Sequence, residues 1–320
     1  RTSGGRIPRE RSRPVNPSPD YGRPPTLRVH WSWDYPRLPR DTVIASIGSC
    51  FSEELVGELL ACGFSGAQNP NGILYNPVSI ADAMDHVVQG ENYTGENFFE
   101  FNGMYHSWLH HGSFSSLDLD CAVDACNRSL ANFRRTLAKA GVLVVTLSSA
   151  VVYIEKEEGL IVANCHKLPG TAFFRHLLTL EQCEESLRRI AGGVREYNPE
   201  CLVVFTLSPV RHYPGNLVVN ARSKALLLTA IHEVCRDMDG TAYFPAYEIV
   251  MDELRDYRFY KEDMIHLSSS AVRIIADYFI SSCFEPDAMR RLAEGRKRLA
   301  ASRHQEDWNK NVRNSGICKF

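Results

Sequence analysis

Two short strings, far apart in the chain, carry residues that can do covalent chemistry. Gly48-Ser49-Cys50-Phe51 sits in VIASIGSCFSEEL, and Asp263-Met264-Ile265-His266 sits in KEDMIHLSSSAV. In the first, a hydroxyl and a thiol stand side by side where an apolar run ends at a glycine and a helical pattern begins. Groups at such a junction lie at the C-terminal edge of a sheet, where α/β proteins hold their ligands. Helix N–H groups and the helix dipole also lower the pKa of a thiol there. The second string offers an imidazole with a carboxylate at a spacing that lets the carboxylate bond the ring and fix its tautomer. Nucleophile, base and orienter are the minimum set for acyl transfer. Each string also has a plain structural meaning. Ser49 can be a helix cap followed by a buried cysteine, and Asp263 with His266 can form a surface turn before the helix that begins near Ser268.

Further polar residues fall where a ligand edge is expected. VANCHKLPG puts His166 after an apolar run, and TLSPVRHYPG puts Ser208, Arg211 and His212 at the end of another. Arginine at such an edge clamps carboxylate or phosphate, or forms a surface ion pair. YHSWLHHG adds His106 and Ser107, and the spacing of His106 and His110 would suit a metal on a helix. Trp108, Gly112 and Ser113 argue against a regular helix there, and no HExxH string occurs, so no metal and no cofactor are expected. His106, Ser107, His166, Arg211 and His212 are instead expected to line one cleft with Cys50 and His266. A cleft of that character suits a polar or anionic substrate better than a lipid chain.

The elements that must position these groups follow from the pattern. Apolar runs at 42–47, 142–147, 202–207 and 242–244 predict buried strands. They alternate with helical patterns at 49–62, 78–87, 118–140, 217–238 and 268–283. A hairpin is expected from 151–154 and 160–163 around Glu157-Glu158-Gly159, and Thr179 with Gln182 forms a capping box for the next helix. The stretch 69–77, NPNGILYNP, is too rich in Pro, Gly and Asn for regular structure, and 89–116 predicts loop with short strands. Buried strands alternating with helices mean a mainly parallel sheet covered on both faces, a three-layer α/β/α sandwich.

Composition bounds the rest. The chain has 320 residues, 44% of them hydrophobic, and a formal net charge of −2. That balance argues against dedicated nucleic-acid or membrane-surface binding, and no apolar stretch is long enough for a membrane span. Ten cysteines at scattered spacings do not form a disulfide framework. Cys62, Cys183, Cys201, Cys235 and Cys283 lie in apolar runs and are expected to be buried free thiols, which suits a reducing, cytoplasmic location. The N-terminal segment has no apolar core of a secretory signal. Residues 1–27 hold six Pro and six Arg against two acidic residues and predict a disordered basic arm. Residues 28–284 form the main domain, and 285–320 a peripheral helix with a flexible tail.

Several strings together resemble one family. GSCF, NPNGILYNP, YHSWLHHG, IVANCHKLPG, TLSPVRH, NARSKAL, YFPAYEIVMDELRDYRFY and EDMIH occur in order over about residues 27–284. They resemble the GSCFA-domain family of the SGNH/GDSL hydrolase-like superfamily, with Ser52 where the name string has alanine. The resemblance implies an SGNH-type fold in which Cys50 falls at the nucleophile position, Ser49 beside it, and Asp263 and His266 fill the late Asp-x-x-His motif. The backbone N–H groups of Cys50 and Gly72 would hold the oxyanion. The superfamily's third-block Gly-x-Asn falls on Ser148-Ser149-Ala150, where Gly and Asn are both missing, leaving Asn76 or His166 as substitute donors. The implied activity is acyl-ester hydrolysis or acyl transfer on a small polar substrate, such as a carbohydrate ester, through a covalent acyl-enzyme. The alternative is a catalytically silent domain that keeps the pocket and binds a glycan or acyl ligand.

Overall fold

The computed structural model describes residues 27–211 and 216–314, with side chains through residue 302. Strand β1 (Val43–Gly48) runs into helix α1 (Cys50–Ala61), and β2 (Gly66–Gln68) leads through a loop to α2 (Pro77–Gln89). A hairpin of β3 (Phe99–Phe101) and β4 (Met104–His106) precedes α3 (Leu119–Leu137) and β5 (Ala140–Leu147). Strands β6 (Val151–Glu155), β7 (Ile161–Val162) and β8 (Phe173–Leu177) pair antiparallel in the order β7-β6-β8. Then come α4 (Leu180–Tyr197), β9 (Leu202–Leu207), α5 (Leu217–Asp237) and β10 (Thr241–Phe244). A short turn α6 (Ala246–Glu248), helix α7 (Ser269–Cys283) and helix α8 (Pro286–Asn314) follow.

The central sheet has the order β10-β9-β5-β1-β2, and every pairing in it is parallel. Alternate side chains along each strand enter two separate cores. Ala45, Ile47, Leu143, Val145, Val203 and Phe205 face a core shared with α2 to α5. Ile44, Val142, Val144, Leu202, Val204 and Phe244 face the core built by α1, α7 and α8. The expected three-layer α/β sandwich is therefore what the chain forms, and burial on both faces is why its strands are continuous apolar runs. The expected capping box is present at Thr179 and Gln182, and Asp118 and Ser268 cap α3 and α7.

Helix α8 differs from expectation. Ala288 and Leu292 are fully buried, and Arg296 bonds Glu58 of α1 at 2.8 Å and Asp277 of α7 at 2.7 Å. It is thus an integral part of one face, and it continues to Asn314. Residues 1–26 of the expected arm lie outside the described residues.

The strand order places the site. From β1 the chain goes outward to β2, then returns across β1 to β5 and continues to β9 and β10. The direction of winding reverses between β1 and β5, and a crevice opens at the C-terminal ends of two strands whose connections diverge. Those ends are Gly48 and Leu147.

Candidate functional site

Gly48, Ser49 and Cys50 occupy that crevice. Gly48 has φ +138°, and a Cβ on it would lie 2.2 Å from the Thr146 carbonyl oxygen, so only glycine brings β1 this close to β5 while turning into α1. Ser49 is buried and faces β5: its N–H donates to the Thr146 carbonyl (3.1 Å) and hydroxyl (3.0 Å), and its Oγ lies 3.2 Å from Thr146 Oγ1. That hydroxyl is held inside the sheet edge, and it makes no side-chain cap to α1. Cys50 is the first residue of α1 and is partly exposed. Of the two candidate nucleophiles, the thiol is the accessible one.

The charge environment of Cys50 is mixed. Burial raises its thiol pKa to about 11, and Glu54 and Glu53 add to the rise, whereas the Phe51 N–H and Lys224 act to lower it. The helix N-terminus therefore works against burial without overcoming it in the resting site.

Asp263 and His266 form the expected pair. Asp263 Oδ2 lies 2.7 Å from His266 Nδ1, and Oδ1 accepts the N–H groups of Ile265 (2.8 Å) and His266 (2.9 Å). Met264 makes this possible by adopting φ +56°, a left-handed conformation that costs an ordinary residue about 1–2 kcal/mol. Those hydrogen bonds hold the Asp263 carboxyl down at about 2, so it stays ionised and fixes the ring with Nε2 outward. The pair is open to solvent, with the His266 side chain 39% and Asp263 43% exposed. Its loop is tied to α1 by Lys261 Nζ on Glu54 Oε1 at 2.6 Å, one helical turn beyond Cys50. Among the described residues no hydrogen bond joins the His266 ring to Cys50 or Ser49.

The expected oxyanion donors other than the helix start have other partners. The Gly72 N–H donates to the Asn69 carbonyl at 2.9 Å in a turn with φ +76°, where a Cβ would strike His111 at 2.6 Å. Asn76 caps α2: its Oδ1 accepts the Ser79 N–H at 2.8 Å and its amide nitrogen donates to Ser79 Oγ at 3.0 Å. In the third block, the N–H groups of Ser148 (3.0 Å) and Ser149 (2.9 Å) both donate to the Tyr75 carbonyl. Gly72 and Asn76 thus shape the loop beside Gly48, whose amide bonds Asn69 Oδ1 at 2.9 Å; the Gly72 N–H is taken, and one of the two Asn76 amide hydrogens is held by Ser79.

The expected rim divides into separate groups. His106, Ser107 and His166 form a buried cluster: His166 Nε2 donates to the Ser107 carbonyl at 2.8 Å, and His106 Nδ1 lies 2.7 Å from Ser115 Oγ. Burial lowers His166 to about 4 and His110 to about 3, so both rings are neutral. His166 cannot be the substitute donor through Nε2, which is taken, and its buried Nδ1 has no partner. Arg211 lies elsewhere, over the rings of Tyr260 (4.9 Å) and Tyr257 (5.9 Å), beside a cleft of about 320 Å³ that Val250 and Leu254 also line. His212 lies outside the described residues. No group of three or more His, Cys, Asp or Glu among the described residues could hold a metal ion.

One site residue escaped the sequence reading. Lys224 of α5 is 3% exposed and donates through Nζ to the Ser208 carbonyl at 2.6 Å. It comes from the opposite face of the sheet to α1, and its charge and that of Cys50 act on each other. The sequence signal was its place in NARSKAL, one of the family-like strings, to which the sequence reading gave no role.

The family model described as "GSCFA family" matches residues 43–279. The chain belongs to the GSCFA family. No curated protein matches the sequence. Among solved structures, the GSCFA chain is similar to a protein described as a platelet activating factor from Streptococcus pneumonia, at 10% identity and TM-score 0.40, over 76% of this chain and 85% of that one. It is also similar to a carbohydrate esterase family 3 protein from Talaromyces cellulolyticus, at 9% identity and TM-score 0.36, over 79% and 99% of the two chains. A third is an acetyl xylan esterase from the rumen bacterium Butyrivibrio proteoclasticus, at 9% identity and TM-score 0.37, over 75% of this chain and 63% of that one. Likeness at this level assigns no substrate. No helix among the described residues is long and apolar enough to cross a membrane.

Proposed function

We propose that this GSCFA protein is an ester hydrolase or acyltransferase acting on small polar esters, carbohydrate esters among them, through an acyl-enzyme on Cys50. The observation that carries the reading is the Asp263–His266 pair, bonded at 2.7 Å on a loop that Lys261 ties to the helix beginning with Cys50. In this reading His266 Nε2 takes the Cys50 proton as the sulfur attacks the ester carbonyl carbon. It then gives that proton to the departing alkoxide, and the acyl group stays on sulfur. Water, deprotonated by the same ring, releases the acid and the thiol, or an acceptor hydroxyl takes water's place. Asp263 keeps the ring in the working tautomer and offsets its transient positive charge. The N–H groups at the start of α1 face the oxyanion.

The high resting pKa of Cys50, about 11, favours a second reading, a binding domain that keeps the pocket without turnover. The test is to incubate the protein with p-nitrophenyl acetate and with acetylated monosaccharides and to read both product release and mass. Turnover with a transient acetyl group on Cys50, abolished in Cys50→Ala and cut in His266→Ala, is the expected result. Binding of acetylated sugars without turnover or adduct selects the second reading. Turnover that survives Cys50→Ala and vanishes in Ser49→Ala moves the nucleophile to Ser49.

A further inference from the structure

A nucleophile that becomes an anion, and an oxygen that becomes one in the next instant, need positive charge nearby. The site is short of it. The Gly72 N–H, the Asn76 amide and the N–H groups of Ser148 and Ser149 all have acceptors within the fold. The sequence carries no asparagine at the third-block position, and Glu53 and Glu54 bring negative charge to Cys50. Among the described residues, Lys224 is the buried cation whose charge acts on Cys50.

The fold goes to some length to put it there. Two adjacent residues of α5 reach over the ends of two neighbouring strands. Ser223 Oγ accepts the Ala150 N–H at 2.7 Å, which pins the third-block segment after β5. Lys224 Nζ donates to the Ser208 carbonyl at 2.6 Å, at the end of β9. Ser208 is itself tied to β5 through its N–H on the Leu147 carbonyl at 2.7 Å. The lysine stem thus replaces the apolar side chain that α5 would otherwise bury. A buried ammonium with one carbonyl acceptor is costly as a purely structural device, since a methionine would fill the same space.

We propose that Lys224 is the counter-charge of the site, its ammonium stabilising negative charge on the Cys50 sulfur and on the oxygen of a tetrahedral intermediate formed there. The part concerning the intermediate rests on the acyl-transfer reading; the thiol–lysine coupling does not. Lys224 forms no bond to substrate and acts by its charge on Cys50, so it is a positioning residue. The other titratable groups acting on Cys50 are Glu53 and Glu54 from α1, Tyr75 from the loop before α2 and Lys261 from the loop before α7. Of these two lysines, Lys261 is bonded to Glu54, and Lys224 is bonded to a carbonyl with no carboxylate partner among the described residues.

The coupling predicts an unusual pH profile. Burial lowers Lys224 to about 7 and raises Cys50 to about 11, so between those values the pair shares one proton. Amine with thiol and ammonium with thiolate then hold equal numbers of protons, and their ratio does not change with pH. The rate of Cys50 alkylation by iodoacetamide, followed residue by residue by mass spectrometry, should rise to about pH 7 and then level off up to about pH 10. In Lys224→Met it should climb about tenfold per pH unit throughout and be about tenfold slower than wild type near pH 6.5, where the ammonium is present. Lys224→Arg, which keeps the charge, should restore the fast rate at pH 6.5. A wild-type rate that climbs steadily through the same range overturns the proposal without any variant. So does a Lys224→Met protein, folded by circular dichroism, that tracks wild type. Ester hydrolysis enters separately. A levelled profile without turnover supports the coupling and defeats the acyl-transfer reading. Cys50-dependent turnover with a steadily climbing profile defeats only the role of Lys224.

Discussion

Replacing Lys224 by methionine should stabilise the protein near pH 6, and the advantage should shrink as pH rises. The reasoning starts from burial: desolvation brings the folded-state pKa of Lys224 from 10.5 down to about 7. An unfolded lysine holds its proton to about 10.5, so between 7 and 10.5 the unfolded state binds more protons and wild-type stability rises with pH. The whole fall in pKa corresponds to about 5 kcal/mol, of which about 2 kcal/mol is recovered between pH 6 and pH 8.5. Methionine has no charge to bury but leaves the Ser208 carbonyl without its donor, a cost of about 1–3 kcal/mol that does not vary with pH. The gap between variant and wild type should therefore close by about 2 kcal/mol across that window. The window ends at pH 8.5 for a physical reason. Cys50, which burial raises to about 11 and whose charge acts with Lys224, adds its own pH dependence above about pH 9 as the unfolded thiol ionises, by a different amount in the two proteins. Urea unfolding followed by circular dichroism at several pH values measures the gap directly. A gap that stays flat from pH 6 to 8.5 refutes the reasoning, because it means the folded lysine titrates like the unfolded one.

Three further outcomes follow from the site. Asp263→Asn should lower kcat by about 10²–10⁴-fold with little change in KM, since the ring loses its tautomer and counter-charge while nothing about substrate contact changes; an unaffected kcat would remove Asp263 from the chemistry. Lys261→Met should leave the melting temperature nearly unchanged, as the Glu54 ion pair is partly exposed, but should reduce kcat by freeing the His266 loop and removing a positive charge that acts on Cys50; a large drop in stability with normal kcat would show the tie to be structural. His166→Gln keeps a donor for the Ser107 carbonyl and removes a ring that burial holds neutral, so acid unfolding, driven as pH falls from 6.5 towards about 4, should move to lower pH in a circular-dichroism titration. An unshifted midpoint would mean that this ring protonates without disturbing its cluster.

Much of the architecture was legible because burial on both faces writes the strands as plain apolar runs. The 202–207 run matches β9 residue for residue, and the Thr179–Gln182 box marks the start of α4 where side chain and backbone satisfy each other. What escaped was short or decided by tertiary contact. Strand β2 is three residues, Gly66–Gln68, held by the register of β1 and by a close approach of Gly66 to the Ile44 carbonyl. No periodicity survives at that length. Strand β8, Phe-Phe-Arg-His-Leu, is mostly exposed and lacks a clean alternation. Helix α8 reads as a charged peripheral helix, yet Arg296 ties it inward by pairing with both Glu58 of α1 and Asp277 of α7. Charge suggested surface, and the partners that reverse that meaning lie far away in sequence.

The site was legible where chemistry is local and hidden where it depends on what each atom already does. Asp263 and His266 meet because they lie within one turn, and Gly48 announces the turn into α1 because nothing larger fits against Thr146. Gly72, Asn76 and His166 have the right types for oxyanion donors, but a donor is useful only if its hydrogen is free: the Gly72 N–H and His166 Nε2 are spent, and Asn76 has one amide hydrogen bonded to Ser79. Residue type cannot reveal that, since it follows from loop geometry. Lys224 is the converse. It follows Asn220, Arg222 and Ser223 in α5, and a lysine in a helix ordinarily turns to solvent. Here position along the helix decides: Ser223 and Lys224 lie where α5 crosses the ends of β5 and β9, so a stem that would snorkel outward is buried on the Ser208 carbonyl at the sheet edge instead. A site built at the reversal point of a parallel sheet draws from helices on both faces. The candidate nucleophile can be read at a strand end on one face, while the proposed counter-charge comes from the other, inside a family string whose chemistry the residue types alone do not give.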